Sequence, residues 1–128
     1  MNNDISDRVT LILPAKGEYV STARLAASSV ANRIGFNIDE VEDIKVAVSE
    51  VCNIILSKAG EEISQYRVAF DIDGNKLKIT FTGEEFQLKC FSESLENEYG
   101  LYIMKALMDS VELYNEDYSI VMTKKIGD

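Results

Sequence analysis

Residues 68–81 read VAFDIDGNKLKITF, and the fold turns on how this stretch pairs with itself. Val68, Phe70 and Ile72 recur at every second position, and Leu77, Ile79 and Phe81 resume the alternation beyond Asp73-Gly74-Asn75. A period of two sends one set of side chains to one face of a strand, and the Asp-Gly-Asn run supplies turn chemistry. The stretch therefore reads as a β-hairpin with one buried face.

Upstream, the period changes to that of a helix. Val41, Ile44, Val48, Val51 and Ile55 form one apolar stripe from near Asn37 to about Ala59-Gly60. Asn37 with Glu40 three residues on is close to a capping box, and Asp39, Glu40, Glu42 and Asp43 suit the positive end of a helix dipole. Before it, Tyr19, Ala23, Ala26, Val30 and Ile34 mark another helix, closed by Gly35, and Val9 to Leu13 reads as a strand stopped by Pro14. Downstream of the hairpin, Gly83 to Gly100 is irregular and acidic. Leu101, Met104, Leu107, Met108 and Val111 then restore helical spacing ahead of a last hairpin, Val111 to Tyr114 and Tyr118 to Thr123. Strands grouped in hairpins rather than alternating with helices predict an α+β fold. The expected architecture is a two-layer sandwich: a mixed, largely antiparallel sheet with helices on one face, in one domain over residues 1–128.

Composition narrows the function. The 128 residues are 46% hydrophobic, enough for one core, with 13 basic against 22 acidic residues and a formal charge of −9. No basic patch is visible, so neither nucleic acid nor an anionic membrane is expected as partner, and a protein is. There is no histidine, which removes Ser-His-Asp chemistry, Cys-His nucleophiles and His-ligated metals. Cys52 and Cys90 form no paired motif, and no apolar stretch nears the roughly 18–20 residues of a membrane span. With a polar, acidic start at Met1-Asn2-Asn3-Asp4, a cytoplasmic protein with reduced thiols is the expectation.

Glu50 lies on the flank of the second helix, beside its core stripe. A carboxylate there can serve as a general base or simply face solvent, and spacing alone favours solvent. The wording of the chain adds to this. Leu13-Pro14-Ala15-Lys16-Gly17-Glu18-Tyr19-Val20, then Ala23-Arg24-Leu25, then residues 39–50 (DEVEDIKVAVSE), and later Gly100-Leu101-Tyr102-Ile103-Met104 and Val121-Met122-Thr123-Lys124 stand in order along the sequence. Together they closely resemble the anti-sigma-factor serine kinases of the anti-sigma-B and sporulation anti-sigma-F type, within the gyrase–Hsp90–histidine-kinase (GHKL) ATPase superfamily. The fold implied is the Bergerat-type ATPase sandwich.

The resemblance implies roles residue by residue. Glu50 matches the family's base toward a substrate serine. The family's Mg²⁺-holding asparagine, one turn further on, is replaced by Ile54, and a hydrocarbon cannot ligate a hard cation. The nearest oxygen donor is Asn53, about 100° away around the helix, which is the candidate metal and nucleotide residue only if a bulge re-aims it. The family's Asp-x-Gly, whose aspartate reads adenine, becomes Phe81-Thr82-Gly83, so Phe81 is expected to fill the pocket while Gly83 persists. Gly100 and Leu101 match the second glycine box, but Asn97, Glu98 and Tyr99 replace the glycines before it, and Glu84, Glu85, Glu93, Glu96 and Glu98 crowd the connecting loop. Thr123 matches a threonine near adenine, and Arg24 a partner-contacting arginine.

The function implied is an anti-sigma factor that binds an alternative sigma factor and switches to an anti-anti-sigma (STAS-type) partner, forming a homodimer through the sheet. Mg·ATP binding and kinase activity are expected to be weakened or lost. Two alternatives stand beside it: an active Mg·ATP-dependent protein serine kinase acting on the anti-anti-sigma factor, and a non-catalytic scaffold that pairs with an active homologue.

Overall fold

The structure is a computed structural model that describes residues 7–59, 61–83, 99–114 and 119–127. In chain order its elements are β1 (Asp7–Pro14), a 3₁₀ turn (Gly17–Tyr19), α1 (Val20–Ile34), α2 (Ile38–Ala59), β2 (Gln65–Asp73), β3 (Lys76–Thr82), α3 (Tyr99–Leu107), β4 (Ser110–Tyr114) and β5 (Ser119–Lys125). The five strands form one sheet in the order β1-β2-β3-β5-β4, and each of its four pairings is antiparallel. The α+β expectation holds, with no parallel pairing among the described strands where a mixed sheet was expected. Val111 belongs to β4 rather than to the third helix, which ends at Leu107. The acidic loop expected at residues 84–98, with Asn97, Glu98 and Cys90, lies outside the described residues.

The 68–81 hairpin forms as its alternation predicts. Val68, Phe70, Leu77, Ile79 and Phe81 are fully buried, Asp73 pairs with Lys76, and Gly74 takes the turn at φ 63°. The helices cover this face: Ala23, Ala27, Val30 and Ala31 of α1, the stripe of α2, and Leu101 and Met104 of α3 close one core with it.

α1 stops at Gly35, whose φ of 109° lets its amide and that of Phe36 both reach the Ala31 carbonyl. The capping box at the start of α2 is reciprocal. The Glu40 amide donates to Asn37 Oδ1 at 2.8 Å, and the Asn37 amide to Glu40 Oε1 at 2.9 Å. Glu40 does more than cap, because its other oxygen accepts the Gly127 amide at 2.9 Å and ties the end of the chain to α2.

The opposite face of the sheet carries no helix among the described elements. There Arg8 and Asp71, directly opposite each other on β1 and β2, form a two-pronged ion pair at 2.6 and 2.9 Å.

Candidate functional site

α2 carries the candidate chemistry, and its helical phase decides which side chains meet. Glu50 is half-buried on the flank of the stripe, and Ile54 lies one turn along on the same side. Ile54 is only 5% exposed, because α3 packs over it. The contact is close. A Cβ added to Gly100, at the start of α3, would stand 2.7 Å from Ile54 Cδ1 and 2.9 Å from Glu50 Oε1. Both atoms are the far ends of flexible side chains, so a methyl group at position 100 would require Ile54 and Glu50 to shift. Asn53 is exposed, and no bulge interrupts α2 to turn it toward Glu50.

On the sheet side, Phe81 lies in register with Val68 and Ile120. Leu11 pairs with Val68 and Leu113 with Ile120, so an unbroken hydrocarbon row, Leu11–Val68–Phe81–Ile120–Leu113, crosses all five strands. Val68 and Phe81 are fully buried and Ile120 is 2% exposed. The residue that stands where an adenine-reading aspartate was expected is thus the centre of a packed row. Gly83 is half-buried just past the end of β3, and Leu101 is buried under α3.

Thr123 is elsewhere. Met122 points into the core, so its neighbour Thr123 stands on the opposite face, in a row with Lys78 and Ser110. Its hydroxyl shares a hydrogen bond with that of Ser110. Thr123, expected near adenine, is therefore not on the face of Phe81, and the β5 residue in register with Phe81 is Ile120. Grooves of about 470 Å³ between β1 and α1, and about 410 Å³ between α3 and β4, are lined by neither Glu50, Asn53 nor Phe81.

Below Phe81 lies a pair that the sequence reading did not single out. Cys52 on α2 and Tyr66 on β2 are both buried, and the Tyr66 hydroxyl makes no hydrogen bond among the described residues. Burial pushes the Cys52 thiol up to about 11, and burial together with the neighbouring Cys52 raises the Tyr66 hydroxyl. Neither is a poised nucleophile at neutral pH. Arg24 is exposed on α1, next to Leu25 at 67% exposure, and makes no ion pair among the described residues.

A helical layer thus covers an antiparallel sheet, with α3 closing on the flank of α2 at Gly100. The profile described as the histidine kinase-like ATPase domain covers residues 13–124. The chain belongs to the histidine kinase-like ATPase domain family. Within it, the chain is similar to the serine-protein kinase RsbW of Listeria innocua, 36% identical over 140 residues, covering 95% of this chain and 89% of the relative. It is likewise similar to the serine-protein kinase RsbW of Halalkalibacterium halodurans, 33% identical over 131 residues, covering 91% and 80%. Among solved structures, that of the RsbU and RsbW domains of Rv1364c from Mycobacterium tuberculosis superposes with a TM-score of 0.67 at 15% identity, covering 94% of this chain and 32% of that one. This last likeness is one of fold.

Membership in the histidine kinase-like ATPase domain family implies Mg·ATP as the group to be held, and the residues present do not fit it. The position one turn beyond Glu50 offers a buried hydrocarbon, and the oxygen donor Asn53 faces another way. Phe81, at the position where an adenine reader was expected, is packed against Ile120.

Proposed function

We propose that this protein is an anti-sigma factor of the serine-kinase type, a switch that binds an alternative sigma factor and is drawn off it by an anti-anti-sigma partner of the STAS type. The observation that carries this reading is similarity to RsbW serine-protein kinases at 33–36% identity over 91–95% of the chain. The exposed guanidinium of Arg24 beside Leu25 supports it, as a cation without an ion pair among the described residues and an exposed apolar neighbour suit a protein partner. The exchange takes place in the cytoplasm; no helix among the described residues is long and apolar enough to cross a membrane. A homodimer formed through the uncovered sheet face belongs to the same reading, and light scattering on the purified protein tests it.

Kinase activity and Mg·ATP affinity are weak or lost on this reading, since Ile54 and Phe81 replace the chemistry that both need. The retained Glu50 favours the alternative of an active kinase, in which that carboxylate takes the proton of a serine hydroxyl. Transfer of labelled phosphate from ATP to a STAS-type partner would establish the alternative, and its absence leaves the switch.

The partner reading is tested by titrating the organism's alternative sigma factors into the purified protein. Arg24→Ala should weaken the complex by about 1–3 kcal/mol while leaving the melting temperature unchanged. Unchanged affinity would remove Arg24 from the contact, and failure of every sigma factor to bind would leave the scaffold reading.

A further inference from the structure

We infer that α3 is held on α2 by built-in packing in place of a nucleotide, so that, on the switch reading above, exchange between partners runs by competition with no nucleotide-dependent step. α3 has nine residues, too few for a helix to persist on its own local bonds, so its order must come from tertiary contact. Gly100, Leu101 and Met104 are buried, Met108 just beyond the helix is 5% exposed, and Gly100 lies close against the side-chain ends of Ile54 and Glu50.

A ligand shifts a conformational equilibrium only by its differential affinity for the two states. Here the docked state is already filled from within. The Ile54 side chain takes the space against Gly100 and has no oxygen to offer a cation, while the Leu11–Val68–Phe81–Ile120–Leu113 row leaves no polar partner for a base. Nucleotide has no differential purchase on α3. Without phosphoryl transfer to a partner, the exchange is reversible and is set by the concentrations and affinities of the two competitors.

Hydrogen exchange of the α3 amides in the free protein tests the docking directly. With and without millimolar Mg·ATP or Mg·ADP, protection over residues 101–107 should be the same; a rise of about tenfold on adding either nucleotide overturns the inference. Ile54→Ala should lower α3 protection by about tenfold while β2 and β3 keep theirs, because it removes the side chain against which Gly100 packs. Undiminished protection in Ile54→Ala also overturns the docking. If Ile54→Ala does not fold, the nucleotide comparison on the unaltered protein decides. A sigma-factor titration with and without Mg·ATP then reads the functional half, where equal affinities are expected and a nucleotide-dependent affinity overturns it. If no sigma factor binds at all, the switch reading fails, and the α3 measurements, which use no partner, still decide the docking.

Discussion

A single aromatic ring shows how residue identity makes a strand position part of the core. Phe81, where a carboxylate was expected from the resemblance, is fully buried between Val68 and Ile120. An ionised carboxylate at that point would meet hydrocarbon on both flanking strands and no donor to pair with. Phe81→Asp should therefore lower the unfolding free energy by several kcal/mol, of order 3 or more, read as a fall in the urea midpoint. A near-native midpoint would mean that water reaches position 81 and that the cleft is open.

The same scale shows what sequence makes legible. Helix phase separated Ile54 from Asn53 correctly, because neighbouring residues on a helix always point about 100° apart. Strand parity places Thr123 on the face away from Phe81. A likeness judged one residue at a time cannot see that shifting a strand match by an odd number reverses the face. Only the register of β5 with β3 showed that Ile120, not Thr123, looks at Phe81.

At the scale of elements, Glu40 joins three parts of the chain. Its carboxylate accepts amides from Asn37, at the cap of α2, and from Gly127, beyond β5, and those two backbone hydrogen bonds hold its pKa below the ordinary glutamate value. A group lowered in the folded state contributes stability that is fully present above its unfolded pKa of about 4.3. That contribution disappears as pH falls through the lower folded value. Glu40→Gln should thus narrow its stability gap to the unaltered protein between neutral pH and pH of about 3, measured as paired thermal melts across that range. A gap independent of pH would show that the carboxylate bonds carry no stability. The cap itself was readable from Asn37 and Glu40 three residues apart. The bond to Gly127 was not, since it spans 87 positions that only folding brings together.

For the molecule as a whole, Cys52 reports on whether the two layers open as one. Its thiol is buried between α2 and β2 and pushed up to about 11 by that burial, so little thiolate exists near neutral pH and no reagent reaches it in the native state. In a Cys90→Ser background, labelling of Cys52 should proceed only through unfolding, and its rate should rise with urea in step with the loss of circular dichroism. Fast labelling without urea would mean that α2 leaves the sheet locally while the rest remains folded.

The sequence by itself determined the elements, their order and the α+β class, because periodicity, caps and turns act over a few residues and are written where they act. Residues 68–81 announce their hairpin, Gly35 its helix end and Asn37-x-x-Glu40 its helix start. It also showed that positions 54 and 81 carry hydrocarbon, since the kind of side chain needs no coordinates. Tertiary structure alone decided what those side chains pack against. Gly100 meets Ile54 and Glu50 across nearly fifty residues of chain, and the row from Leu11 to Leu113 takes one residue from each of five strands. Such contacts follow from register and layer packing, in which a close approach depends on every intervening element, so no local pattern contains them.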